Sequence, residues 1–284
     1  MKIFFSLFLL LPLLNLNAQY FYKDIITTIE MNRQMNLYKT NKVLTVTASG
    51  YDPQGNNNPD FSEVQQLLLN TNTLKISTQN NPSNSVILLQ VYDKDNRLIK
   101  VTDSAADVQS TTLYTYDMNG RIAEIKNITT DTSQSLNETL NETEVHKWFY
   151  NESSKPIKMQ RIVNNNDITE FKFTLDEKGN VLDERSFKNG IEGEMTYYYY
   201  DDKNRLTDIV RYNAKLKKLM PDYLFEYNES DQVIQKITTL SNLNFGYLIW
   251  RYAFNEKGLK TKEALSNKEK VMTGRIEYNY TFAQ

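Results

Sequence analysis

Few side chains in this chain of 284 residues have the chemistry that catalysis or metal binding requires. There is one histidine, His146, and there is no cysteine, which excludes most zinc sites and every thiol-based reaction. The sequence also lacks a glycine-rich phosphate loop and a Gly-x-Ser-x-Gly nucleophile turn. We therefore expect no cofactor and no bound metal.

Paired carboxylates are the remaining route to catalysis. Asp201-Asp202 falls in a predicted turn and the pair Glu192 and Glu194 in a predicted connection, so we interpret both pairs as solvated structural acids. A glycoside hydrolase needs only two carboxylates, which distant strands can supply. A glycoside hydrolase or other carboxylate-based hydrolase of an extracellular polymer is therefore the alternative to a non-catalytic protein.

The N-terminal residues 1–18 have the features of a secretory signal peptide. Lys2 precedes an apolar run that ends at Leu14, and Leu16-Asn17-Ala18 is a small-residue cleavage site. The run is too short for a good transmembrane span, and no other long apolar stretch follows it. We expect cleavage after Ala18 and an exported protein, periplasmic, cell-surface or secreted, that does not span a membrane.

The charge balance argues against nucleic-acid binding. The chain has 33 basic and 35 acidic residues, and its one basic run, Lys215 to Lys218, is best interpreted as a solvated loop. The possible partners are instead a glycan or a protein.

The elements that would position any site are organised by a recurring seven-residue motif. It consists of an aromatic residue, Asp or Asn, two polar residues, Gly or Asn, a basic or polar residue and an aliphatic one. The clearest copy is Tyr116 to Ile122, and the others begin at Tyr92, Tyr150, Leu175, Tyr200, Tyr227 and Phe254. Asx at the second position suits a type I turn, and Gly or Asn at the fifth suits a left-handed residue. Together they predict hairpin loops with a bulge, built on Asp93, Asn96, Asp117, Gly120, Asp176, Gly179, Asp201, Asn204, Asn255 and Gly258.

The motif recurs about every 25 residues, a period typical of repeat architectures. Short connections between the strands imply antiparallel neighbours. The sequence predicts an all-β fold, a repeat-built antiparallel meander forming one long twisted or curled sheet. A short helix is predicted over 24–37, with Ile25, Ile26, Ile29 and Leu37 on one face. After the signal peptide, residues 19–84 would hold this helix and degenerate repeats, and 85–284 would hold the repeat domain, continuous with the preceding sheet.

One face of the predicted sheet carries rows of aromatic rings. The residue two before each motif aromatic lies on the same face of the sheet. These eight positions are Gln90, Tyr114, Trp148, Phe173, Tyr198, Phe225, Tyr252 and Tyr278, and all except Gln90 are aromatic. A packed core is the favoured interpretation of this face. A ligand platform is the alternative, with Trp148, Tyr198, Trp250 and Tyr252 as candidate binding residues. If the rings are core, binding moves to the variable connections, of which Asn127–Thr143 is the longest.

The motif, with Tyr116-Asp117 and Gly120-Arg121-Ile122, resembles the tyrosine–aspartate (YD) repeat of Rhs-type and teneurin shell proteins and of shorter exported bacterial proteins. The resemblance covers about residues 86–280 and implies an extended, curling antiparallel sheet with an exported or surface role. The Gly-Arg pair is complete only at Gly120-Arg121, and no toxin or shell-closing motif is present, so a toxin-encapsulating role is not implied. The leading hypothesis is an exported non-catalytic repeat protein, a structural or binding module of the cell envelope or exterior.

Overall fold

The computed structural model describes residues 20–81, 84–105, 108–131, 141–213, 217–239 and 246–284. These ranges contain one α-helix, one short 3-10 turn (Leu69–Thr71) and eighteen strands. The elements are α1 (Lys23–Thr40), β1 (Val43–Tyr51), β2 (Asn57–Leu68), β3 (Thr73–Asn81), β4 (Asn84–Tyr92), β5 (Leu98–Ala105), β6 (Val108–Tyr116), β7 (Ile122–Asp131), β8 (Asn141–Tyr150), β9 (Pro156–Val163), β10 (Asp167–Leu175), β11 (Val181–Lys188), β12 (Ile191–Tyr200), β13 (Leu206–Asn213), β14 (Lys218–Tyr227), β15 (Val233–Thr239), β16 (Tyr247–Phe254), β17 (Lys260–Ser266) and β18 (Met272–Phe282).

The sheet is a closed antiparallel barrel. Each strand pairs with its neighbours in the chain, and β1 also pairs with β18, with Val46 opposite Tyr280 and Ala48 opposite Tyr278. The prediction of one long twisted or curled sheet is therefore wrong, because the sheet closes on itself. Closure pairs the backbone groups that an open sheet would leave exposed on its two edge strands. Because β1 and β18 lie at opposite ends of the described chain, no local sequence pattern indicates their pairing.

The shape of each hairpin loop depends on interactions within one copy of the seven-residue motif. In the copy at Tyr116, the side chain of Asp117 accepts hydrogen bonds from the backbone N–H of Asn119 (2.9 Å) and of Arg121 (3.0 Å). The Arg121 guanidinium donates to the second carboxylate oxygen at 2.7 Å. Gly120 has φ +75°. Positive φ occurs at the fifth position of every copy, that is at Asn96, Gly120, Ser154, Gly179, Asn204, Asp231 and Gly258.

Successive repeats are joined through their tyrosines. The Tyr116 hydroxyl donates to the carbonyl of Leu98 in the preceding hairpin at 2.8 Å, and the Arg97 guanidinium lies 5.0 Å from the centre of the Tyr116 ring. The same pair of contacts joins Tyr150 to the hairpin before it. A motif tyrosine thus fixes its repeat to the one before it, whereas the copies that begin at Leu175 and Phe254 have no hydroxyl to do so.

A barrel of eighteen strands is too wide for its wall side chains to fill, as porins of that size show by leaving a channel. Here α1 lies inside, with Thr28, Met31, Met35 and Tyr38 buried. The predicted helix therefore exists with slightly wider bounds. Of its predicted apolar face, Ile25 and Leu37 pack against the core, but Ile29 is 58% exposed. The interior apolar side chains form two core clusters. One joins α1 to the wall around Met35 and Leu98, and the other joins Phe21, just before α1, to the wall around Trp148.

We expect Gly120→Val to lower the free energy of unfolding by about 1–2 kcal/mol, because a β-branched side chain resists the left-handed conformation. Met118 is 98% exposed in the same turn and does not have a positive φ. Met118→Val is therefore the matched control, with an expected change within about 0.5 kcal/mol. Chemical denaturation measures both, and equal midpoints for the two variants would contradict the turn assignment.

Candidate functional site

One end of the barrel, the end that carries the tight turns, is closed by α1. The Asn32 side-chain oxygen accepts a hydrogen bond from the backbone N–H of Leu98 at 2.8 Å. The turn residue Asn96 donates to the Asn36 side chain at 2.8 Å. Near the C-terminal end of the helix, the Tyr38 hydroxyl also donates to the side chain of Gln65 at 2.9 Å. The helix is therefore fixed to the wall as a plug rather than held by apolar packing alone.

The residues just before α1 are anchored by a buried carboxylate. Glu184, 3% exposed, accepts hydrogen bonds from the backbone N–H groups of Phe21 (2.8 Å) and Tyr22 (2.9 Å) and from the Tyr198 hydroxyl (2.8 Å). Burial raises the pKa of Glu184 to about 7, although these three donors oppose the shift. The carboxylate therefore has a structural use in holding the N-terminal segment.

The single histidine belongs to the same anchor. His146 bonds through Nδ1 to Asp24 of α1 (2.6 Å) and through Nε2 to Glu144 (2.7 Å), and Glu144 also contacts Arg161 at 2.5 Å. Burial opposes the charge on His146, but the two carboxylates outweigh it and raise its pKa to about 9. Burial likewise raises the pKa of Glu144, but hydrogen bonds from His146 and Arg161 outweigh it and lower the pKa to about 2. The group is a chain of four alternating charges that joins the helix to β8 and β9.

The four rings proposed as binding residues lie in two different environments. Trp148 is 5% exposed and stacks on Phe173 with ring centres 5.2 Å apart, and Tyr198 is 1% exposed. Both belong to the packed core and offer a ligand no surface. Trp250 and Tyr252 also face the interior, since they pair across the sheet with Leu265 and Glu263, but both remain partly exposed.

The other end of the barrel, where the variable connections lie, has a polar wall across β5 to β9. The Asn127 amide donates to the hydroxyls of Ser110 and Thr112, both at 2.9 Å, and accepts from Thr129 at 3.0 Å. The inward-facing polar side chains of this wall are Asp103, Ser110, Thr112, Asn127, Thr129, Glu144 and Arg161. Asn127 lies within β7, so the predicted variable connection from Asn127 to Thr143 is shorter than expected, and its residues 132–140 lie outside the described ranges.

An aromatic wall lies across the interior from the polar one. In a ring of eighteen strands β7 and β16 are nine strands apart, so Trp250 of β16 faces the side of the barrel that carries Asn127. Tyr223, Lys236 and Trp250 point inward and are nevertheless partly exposed. These three side chains are therefore accessible to solvent in part, although they face the interior. We call the space between the two walls the open lumen.

The sequence interpretation missed the charged interior residues of the return strands. A return strand is the strand that follows a tight turn, and one of its residues pairs with the position two before the motif aromatic. Four of these seven residues are apolar and three are charged; the set is Val101, Ile125, Met159, Glu184, Ile209, Lys236 and Glu263. An alignment of the repeats that included this position would have marked Glu184, Lys236 and Glu263 as exceptions.

Two of the four acids considered for catalysis form ion pairs. Asp201 pairs with Arg205 within its turn at 2.7 Å, and Glu192 lies 3.6 Å from Arg185. Among the described residues, no group of three or more His, Cys, Asp or Glu side chains could hold a metal ion. No helix in the described part of the chain is long and apolar enough to cross a membrane.

Comparison with known proteins leaves the family open. No protein-family model matches the chain, and no curated protein matches it significantly. A porin-like protein from Bacteroides uniformis is 8% identical, with a TM-score of 0.43, over 84% of this chain and 98% of that one. A Photorhabdus luminescens Tc holotoxin pore is 13% identical, with a TM-score of 0.35, over 75% of this chain. The TcdB2-TccC3-TEV structure is 11% identical, with a TM-score of 0.30, over 78% of this chain.

The chain spans 12% and 16% of the two Tc chains. Tc toxin proteins are thus among the structures it resembles, and no sequence family supports the YD-repeat assignment. At these identities and TM-scores, function has to be argued from the residues of the chain itself.

Proposed function

We propose that this protein is an exported, non-catalytic β-barrel that binds a glycan in its open lumen. The observation that carries the proposal is the pairing of a partly exposed interior indole, Trp250, with a facing wall of hydroxyl, amide and carboxylate groups. Ser, Thr and Asn side chains both donate and accept hydrogen bonds, as sugar hydroxyls require. An aromatic surface combined with a few placed polar groups is the usual composition of a ligand site.

The hydrogen bonds and ion pairs of the interior carboxylates support the proposal that the protein is non-catalytic. Glu144, Glu184 and Glu263 are each hydrogen-bonded to the protein, and Asp222 is paired with Arg211. Asp103 is the exception, because its Oδ1 is buried without a partner among the described residues. A glycosidase needs two carboxylates that flank the scissile bond, and one unengaged carboxylate does not provide them.

The outer surface is consistent with a barrel in water. Charged side chains occur at mid-strand on the outward face, where Lys158 lies 3.6 Å from Glu170, and Glu277 lies 2.9 Å from Arg275 and 3.4 Å from Lys262. Lysine and arginine at such positions would be costly against hydrocarbon. The proposed export rests on residues 1–18, which lie outside the described ranges.

The two tryptophans allow a direct test, because Trp148→Phe leaves Trp250 as the only indole. In this variant we expect red-shifted emission that acrylamide quenches and that changes when a glycan binds. Trp250→Phe is the matched control, since the remaining Trp148 is buried and its emission should be blue-shifted and insensitive. The probes are soluble hexasaccharides of cellulose and chitin and short oligogalacturonates.

If no probe changes Trp250 emission and calorimetry detects no binding, the proposed function is wrong. Release of shorter sugars that stops in Asp103→Asn, in a protein that keeps its fold, would establish the hydrolase alternative instead.

A further inference from the structure

Three of the seven equivalent interior positions on the return strands carry a charge where the others are aliphatic. Two of the three charges have partners in the protein. Glu184 holds the N-terminal segment, and Glu263 accepts a hydrogen bond from Lys260 at 2.8 Å. Lys236 is the third, and no carboxylate lies within ion-pair distance of it in the described ranges. Placing a cation in the interior without a counter-charge costs free energy, so we look for the partner of Lys236 outside the protein.

The surroundings of Lys236 are aromatic. It pairs across the sheet with Phe225 on one side and with Trp250 on the other, and all three side chains face the interior. Burial lowers the pKa of Lys236, which the negative charge of Glu263 opposes and the positive charge of Lys260 reinforces. Because Glu263 already forms an ion pair with Lys260, it is not available to neutralise Lys236.

We infer that Lys236 and Trp250 form a subsite for an acidic sugar, in which the sugar ring lies on the indole and its carboxylate binds the ammonium group. The inference rests on the proposed function and names the glycan class. Directly opposite residues of an antiparallel pair have Cβ atoms about 5 Å apart, so a sugar ring on Trp250 brings its substituents within reach of the lysine. The hydroxyls of Ser110 and Thr112 accept hydrogen bonds from Asn127 and can still donate to other sugar units of the ligand.

A lysine can also serve only to cover apolar surface with its stem while its ammonium reaches water. Lys236→Met separates the two roles, because methionine keeps an unbranched apolar stem and removes the charge. A purely structural role predicts no change in ligand binding. The subsite predicts a specific loss of affinity for the acidic ligand.

The test uses the Trp148→Phe protein and titrates trigalacturonate and its fully methyl-esterified form, following Trp250 emission. We expect the acid to bind at least about tenfold more tightly than the ester, the change that one charge-assisted hydrogen bond produces. Lys236→Met should bring the affinity for the acid down to that for the ester, and Lys236→Arg should retain most of it. Lys147→Met, which removes an exposed lysine of β8, is the matched charge control.

The possible results separate the inference from the proposed function. Equal binding of acid and ester, unchanged in Lys236→Met, would overturn the subsite and leave lumen binding of a glycan intact. A Lys236-dependent change produced equally by sodium acetate would show a simple anion site and would also overturn it. If neither uronate form binds while a neutral hexasaccharide does, only the subsite fails, and if no sugar binds, both proposals fail.

Discussion

Replacing Trp148 with alanine is expected to lower the free energy of unfolding by about 3–5 kcal/mol, the usual cost of truncating a large buried aromatic side chain. The indole is 5% exposed, stacks on Phe173 and lies opposite Met159, which is fully buried. Alanine would leave a cavity in the wall of the core beside the anchored N-terminal segment. Guanidinium denaturation followed by circular dichroism measures the change.

The matched substitution Trp148→Phe should cost much less. Trp148 Nε1 is buried and has no hydrogen-bond partner in the described part of the structure. Leaving a buried donor unsatisfied costs about 1–3 kcal/mol, so removing that group offsets part of the packing that is lost. A loss below about 1 kcal/mol in Trp148→Ala would mean that the ring is not part of the core.

The second large effect is expected at the anchor of the plug. His146→Ala removes the cation between Asp24 and Glu144, whose side chains are only 11% and 22% exposed. Removing one partner of a buried ion pair typically costs about 3–5 kcal/mol, because the other charge is left uncompensated. Arg161 still compensates Glu144 in this variant, so Asp24 bears most of the loss. Asp24→Asn should show a loss of similar direction.

The same anchor predicts a pH dependence of stability. The pKa of His146 is raised to about 9 in the folded protein, above its ordinary value near 6.5. Its contribution is therefore fully present below about pH 6.5 and is lost as the pH rises through 9. The difference in stability between the wild type and His146→Ala should shrink between about pH 7.5 and about pH 10.

Glu184 affects the stability of the protein in a different pH range. Its raised pKa of about 7 favours the protonated folded form, so its contribution is present at low pH and is lost as the pH rises from about 4.5 to 7. Measurement above about pH 7.5 therefore isolates His146. A stability difference that stays constant over that range would contradict a charged His146 in the anchor.

The hairpin loops are the part of this fold that local sequence predicts well. Their geometry depends on contacts inside seven residues, such as those of Asp117 with Arg121, and these contacts form whatever the rest of the chain does. Even Ser154, a poor fit to the left-handed position, has φ +62° there. Alternation along the strands likewise placed the aromatic rows on one face, since a side chain's face depends only on its position in the strand.

The buried face of the helix could not be predicted from local sequence alone. Its existence follows from a run of helix-compatible residues, but the buried face depends on what the barrel wall presents. The predicted face contained Ile29, whereas the structure buries Met31 and Met35. An isolated amphipathic pattern cannot anticipate a plug that meets polar groups such as Gln65 and Asn96 as well as apolar ones.

By itself, the sequence determined the hairpins, the alternation of faces and the presence of a helix, because each depends on residues within a few positions of one another. Only the tertiary structure decided that β1 meets β18 and that one end of the barrel is plugged. It also gave equivalent repeat positions different roles: Glu184 meets Phe21, whereas Lys236 faces the open lumen. The physical reason is that these differences arise from neighbours brought together over more than a hundred residues of chain, as with Glu184 and Phe21, which are 163 positions apart.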